Sequence, residues 1–194
     1  MIEKILDLDS YLFLFLNNLG SQYYDNFWIF LSRTEANVMV YLVILITYLY
    51  SINNKKRTKI LFRLIITIAI LITISDQTSN LFKDSFQRLR PCYNELISDS
   101  LRLVKDSCGG RYGFFSAHAS NSFSLAIFFG LLLRSSNKLL ILLFAIYAFL
   151  ISYSRIYLGV HYPIDIIVGI IFGTINAIVL YKIYLYSFNF LNKS

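Results

Sequence analysis

The chain has 194 residues, of which 57% are hydrophobic and 15% charged, with a formal net charge of +7. Soluble domains run nearer about 45–50% apolar and about 25% charged, so a water-soluble globule is excluded. The charges are bunched between long apolar runs, such as residues 38–50, 139–150 and 166–180, and a bilayer core needs about 20 mostly apolar residues per helix. The expected class is an all-α, polytopic membrane helical bundle.

In chain order, residues 1–20 set Lys4 against Glu3, Asp7 and Asp9 around a short apolar stretch. That is the wrong charge and length for a cleaved signal peptide. Ile2, Ile5, Leu6, Phe13 and Leu16 recur at roughly helical spacing, which predicts a helix lying in the membrane interface. Tyr23, Tyr24, Phe27 and Trp28 suit the headgroup level. Five spans are then expected, near residues 36–52, 59–82, 117–133, 139–154 and 163–185. Pro163 fits the first turn of the last span. Gly169, Gly173 and Ala177 repeat every fourth residue and give that span a face for close packing. With no repeat or linker, 1–194 reads as one domain: an N-terminal segment 1–35 and a bundle 36–194 with an outer loop 84–115.

Charge sets the orientation. With five spans, the loops at 51–60 and 134–138 and the C-terminal tail share one side. They hold Lys55, Lys56, Arg57, Lys59, Arg134, Lys138, Lys182 and Lys193 without an acid. The positive-inside rule puts this side in the cytoplasm and loop 84–115 in the periplasm or outside.

The polar residues at membrane depth collect where four span ends meet on that outer side. Ser75, Asp76, Gln77, Thr78, Asn80 and Lys83 end the second span. Ser116, His118, Ser120, Asn121 and Ser122 open the third, Ser152, Ser154 and Arg155 end the fourth, and His161 and Asp165 open the fifth. Ionisable groups at this depth usually face a functional cavity. The chain has only two histidines, and both lie in this ring. His161 and Asp165 are four apart, so Asp165 could take the Nδ1 proton and leave Nε2 as a nucleophile. His118 lies in a first helical turn, where backbone N–H groups favour an anion. Lys83, Arg90 and Arg155 add positive charge, and phosphate is the anion that fits best.

These residues resemble the signatures of a known family. Lys83 with Arg90-Pro91, then Ser116-Ala117-His118, then Ser154-Arg155 with His161 and Asp165 are similar to the three motifs of the type 2 phosphatidic acid phosphatase superfamily, over about residues 75–173. The second motif departs: Phe115-Ser116-Ala117-His118 stands where the family usually has Pro-Ser-Gly-His. Ala117 keeps the backbone N–H but loses glycine's freedom at positive φ. The resemblance implies a metal-independent lipid phosphatase without a cofactor. His161 would attack phosphorus to form a phosphohistidine, oriented by Asp165. His118 would protonate the leaving oxygen and then activate water. Lys83, Arg90, Ser116, the Ala117 N–H and Arg155 would bind the phosphoryl oxygens. The implied substrates are undecaprenyl diphosphate, a phosphatidylglycerol phosphate or lipid A phosphates, met in a bacterial cytoplasmic membrane at an outward-facing site.

A membrane transporter or channel for an anionic lipid or solute is the alternative, but five spans leave little room for inverted repeats. A haloperoxidase would be soluble. Nothing points to nucleic acid, and the oligomeric state stays open. Arg88 either steers a headgroup or faces water, the second being preferred. Asp76, about two turns before Lys83, is expected to pair with a site cation or with the fourth span as structural support. Cys92 and Cys108 both lie in the outer loop. Two free thiols are possible, but a non-cytoplasmic loop favours a disulfide.

Overall fold

The computed structural model describes residues 2–50, 57–105, 107–133 and 139–191. Among the described residues seven α-helices carry the fold: α1 Ile2–Asn18, α2 Asp25–Leu31, α3 Thr34–Tyr50, α4 Arg57–Phe86, α5 Ala117–Leu133, α6 Leu139–Tyr157 and α7 Pro163–Leu191. No strand occurs among the described residues, and one isolated bridge joins Leu89 to Tyr112 in the long loop. Lys55, Lys56, Arg134, Lys138 and Lys193, which carry much of the orientation argument, lie outside the described residues.

The outer surface is apolar. Ile65, Ile66 and Ile70 on α4, Leu142 and Ile146 on α6, and Ile171 and Ile175 on α7 are all exposed. Such a surface belongs in lipid. By length and composition three helices among the described residues can cross a membrane: α4, α6 and α7. A fourth span forms if α2 and α3, bent by 55° at their junction, count as one. Three or four of the five expected spans meet this measure. The fifth, α5, is apolar but 17 residues long, shorter than the measure requires. It stands at the centre of the bundle, where Ala119, Ser120, Ser122, Ser124 and Ala126 are buried against α4, α6 and α7. A helix enclosed by protein needs no lipid-facing wall.

Two of the buried clusters lie at the two ends of the bundle. Tyr41, Leu45, Leu64, Leu71, Phe128 and Leu180 fill one end. Phe13, Ile97, Ala119, Ile156, Tyr162 and Ile166 fill the other. The glycine face of α7 packs as its spacing predicts. A Cβ at Gly169 would lie 2.7 Å from the Ser116 carbonyl oxygen, and one at Gly173 would overlap the carbonyl of Ser120. The backbones of α5 and α7 touch because these positions carry no side chain.

The N-terminal helix differs from the expected pattern. Its buried stripe is Asp9, Phe13 and Asn17, while Ile5, Leu6, Leu8, Leu12 and Phe15 are exposed. Against lipid the usual amphipathic rule inverts, and polar groups turn inward to find partners. Asn17 shows this well: its amide donates to the carbonyls of Arg102, Ile156 and Tyr157, each at 3.0 Å, and its oxygen accepts the Arg102 N–H at 2.7 Å. Tyr23, Tyr24 and Phe27 are exposed, whereas Trp28 stacks on Tyr157 with centroids 5.2 Å apart.

Candidate active site

Local sequence places each functional side chain. Ser116 caps α5, its Oγ accepting the Ala119 N–H at 3.4 Å. Ala117 is thus the first residue of that helix, with an N–H that has no acceptor inside it. At the end of α6, Gly159 adopts φ +82°, the Gly159 N–H bonds Ile156 O at 3.0 Å, and the Val160 N–H bonds Arg155 O at 3.1 Å. This is a Schellman motif. It stops α6 two residues after Arg155 and turns the chain so that His161 follows directly. Pro163 then starts α7, with Asp165 in its first turn.

His161 and Asp165 are both buried, with Nδ1 and Oδ2 3.4 Å apart. The same oxygen accepts the Tyr162 N–H at 3.1 Å. A Cβ on Gly113 would be 3.3 Å from Asp165 Oδ2 and 3.6 Å from His161 Nδ1, so the loop backbone closes over the pair. Burial first, and then Arg90, Arg155 and Lys83, push His161 well below the ordinary histidine range. The imidazole is therefore neutral and carries a free nitrogen lone pair.

Three cations act on the imidazole of His161. Arg155 is only 5% exposed, yet its Nε and Nη1 have no hydrogen-bond partner among the described residues. Arg90 is held by backbone: Nε donates to Tyr112 O at 3.2 Å and Nη1 to Cys108 O at 2.7 Å. Lys83, in the last turn of α4, feels Arg90, Asp76 and Asp165. His118 is surrounded by Arg155, His161, Lys105 and Arg90. It also lines a largely apolar cavity of about 610 Å³ between α3, α4 and α5, with Asp76 and Asn121 beside it and Tyr41, Leu45 and Phe129 deeper. Among the described residues no three His, Cys, Asp or Glu side chains form a ligand group.

The structure thus brings Lys83, Arg90, Arg155, His118, His161 and Asp165 to one end of the bundle. Ser116 is there too, but its side chain is fully buried and engaged as the α5 cap. Cys92 and Cys108 are bonded to each other, with Cα atoms 6.4 Å apart. Two readings need correction. Arg88 does not face water: its Nη1 donates to Asp165 Oδ1 at 2.8 Å and its Nη2 to Asp9 Oδ2 at 2.5 Å. Asp76 pairs with neither a site cation nor α6; it accepts the Asn121 amide of α5 at 2.8 Å. Sequence reasoning missed Asp9 and Gly113. The available signal for Asp9 was its spacing from Asn17, two polar residues eight apart on an otherwise apolar helix face.

Residues 70–189 match the PAP2 superfamily, a stretch that contains every motif residue from Lys83 to Asp165. The chain belongs to the PAP2 superfamily. It is 36% identical over 185 residues to the lipid A 4'-phosphatase of Bacteroides thetaiotaomicron, covering 94% of this chain and 80% of that one. To the lipid A 4'-phosphatase of Porphyromonas gingivalis it is 35% identical over 187 residues, covering 96% and 77%. Among solved structures, LpxE of Aquifex aeolicus superposes with a TM-score of 0.66 at 24% identity, covering 88% of this chain and 93% of that one. The transmembrane PAP2 type phosphatidylglycerolphosphate phosphatase of Bacillus subtilis gives 0.70 at 13% identity, covering 93% and 86%. At these identities the two structures speak for the fold, a transmembrane PAP2 bundle. This PAP2 protein is an integral membrane lipid phosphatase, a hydrolase of phosphoric esters.

Proposed function

We propose that the chain removes a phosphate group from lipid A, working as a single domain through a phosphohistidine on His161. One observation carries the chemistry: the buried Arg155 guanidinium beside His161 leaves two nitrogens without a partner among the described residues. An uncompensated buried charge is costly, so the site is built to receive an anion. The relatives' lipid A 4'-phosphatase activity supports the substrate, and the apolar cavity below His118 offers room for an acyl chain.

In this mechanism Nε2 of His161 attacks phosphorus while Asp165 holds Nδ1. His118 gives its proton to the leaving sugar oxygen and later takes one from the water that hydrolyses the phosphohistidine. Lys83, Arg90, Ser116, Arg155 and the Ala117 N–H hold the phosphoryl oxygens as charge builds on them. The site faces the periplasm or outside of a cytoplasmic membrane, opposite the basic loops.

Phosphate release from purified protein tests the substrate, using lipid A with its phosphate at either sugar, phosphatidylglycerol phosphate and undecaprenyl diphosphate. Lipid A is expected to turn over fastest, and preference for another lipid overturns the assignment. For orientation, a cysteine at Asp99 should react with an impermeant thiol reagent in intact cells and one at Lys56 should not. The reverse pattern places the site on the inner leaflet.

A further inference from the structure

A buried carboxylate on α1 reaches the catalytic end of the protein. The Asp9 side chain is 1% exposed, and such a group persists only when its charge is compensated. Both oxygens are used. Oδ1 accepts the Ile164 N–H at 2.9 Å, and Oδ2 accepts Nη2 of Arg88 at 2.5 Å. The other arm of that guanidinium holds Oδ1 of Asp165 at 2.8 Å, and its carbon lies 4.1 Å from the centroid of the Tyr162 ring. Asp9, Arg88, Asp165 and His161 therefore form one connected chain of contacts.

The charges decide what the chain does. Arg88 on Asp165 alone would neutralise the carboxylate that steadies the imidazole. Asp9 restores it, since two carboxylates and one guanidinium leave one negative charge. His161 is neutral before attack and becomes cationic when Nε2 bonds phosphorus. The remaining negative charge thus matters more at the phosphorylated stage than in the free enzyme, and burial strengthens the coupling. The Ile164 contact adds geometry. That N–H belongs to the first turn of α7, where the helix itself offers no acceptor, so Asp9 fixes the start of the helix on which Asp165 stands.

We propose that Asp9 is a positioning residue for phosphoryl transfer, acting through Arg88 on the Asp165–His161 pair and making α1 a working part of the site. The inference rests on His161 as the nucleophile. It also lies outside the shared superfamily pattern, which begins at residue 70.

Asp9→Asn removes the charge while keeping the size, and Asp9→Glu keeps the charge. Two readings are taken on full-length protein in detergent: phosphate release from lipid A, and affinity for orthovanadate, a phosphate mimic that can bond His161. Asp9→Asn should lower kcat by about tenfold to a hundredfold, the loss expected for one hydrogen bond to a charged group, with KM within about twofold. Vanadate affinity should fall in parallel, and Asp9→Glu should recover part of both. In an Arg88→Ala background, Asp9→Asn should cost nothing further, because the two act in series. Wild-type kcat and vanadate affinity in Asp9→Asn would overturn the proposal. So would losses that add fully to those of Arg88→Ala, or a loss of kcat with vanadate affinity unchanged, which marks a merely structural role. If the wild type releases no phosphate from lipid A, the substrate assignment fails, and vanadate affinity still decides the role of Asp9.

Discussion

Ser116 donates its backbone N–H to the carbonyl of Asp165 at 3.1 Å. One hydrogen bond thus ties the start of α5, which carries His118, to the first turn of α7, which follows His161. The two histidines are 43 positions apart in the chain (161 − 118), and their registration depends on this contact and on the glycines beneath it.

The first expectation concerns the two histidines. His161→Ala and His118→Ala should each reduce phosphate release by at least about 10²-fold, the lower end of general acid–base contributions, and His161→Ala should cost more. Both variants should extract and unfold like wild type, and orthovanadate should inhibit the unmodified protein. Near-normal turnover in His161→Ala would sink the phosphohistidine mechanism.

Protonation gives a second test. His118→Ala leaves His161 as the only histidine, so its imidazole can be followed alone by NMR. Burial and the facing cations disfavour the charged ring. The neutral form should therefore persist as pH falls through the ordinary value of about 6.5. The unfolded chain takes up that proton at higher pH than the folded one. The folded state consequently loses stability as pH falls below about 6.5. A titration midpoint at or above that value contradicts the burial and charge argument.

How much of this was legible beforehand differs by kind of contact. Spacing on one helix exposed the His161–Asp165 pair and the glycine face of α7, because a 3.6-residue period converts sequence into a face. Chain order could not reveal that Arg88 meets Asp9 across 79 positions, since the meeting depends on how α1 docks. An acid on a surface helix normally reads as water-facing, and here Asp9 is buried. For α5 the sequence shows an apolar helix but not that it packs against α4, α6 and α7 together, because those contacts depend on the tertiary arrangement.

Packing of α5 on α7 can be challenged directly. Gly173→Ala would force a methyl group into the Ser120 carbonyl, an overpacking that typically costs about 1–3 kcal/mol. Thermal unfolding in detergent should register the loss, and kcat should fall as His118 shifts from His161. Gly110→Ala is the control, because a Cβ there meets nothing within 4 Å. Equal stability of Gly173→Ala and wild type would show that the two helices have slack.

The disulfide supports the last expectation. Cys92 follows Arg90-Pro91, and the carbonyl of Cys108 receives Arg90 Nη1 at 2.7 Å. Their bond, across a sequence separation of 16, therefore ties the residue two after Arg90 to the residue whose carbonyl receives its Nη1. Tyr93 adds a second tie, donating its hydroxyl to Gly109 O at 3.1 Å. Gly109 itself has φ +77°, and a Cβ there would stand 3.2 Å from Arg90 Nη1, so the loop needs glycine at that corner. Opening a loop of this size should cost roughly 3 kcal/mol through chain entropy. Because Arg90 is assigned to hold phosphate in the bound substrate as well as in the transition state, replacing both cysteines by serine should raise KM more than it lowers kcat. Alkylation without reductant, read by mass spectrometry, tests the bond itself: neither cysteine should be modified in freshly extracted protein. Two alkylated thiols, with KM unchanged in the double serine variant, would mean that the backbone contacts alone hold Arg90 in place.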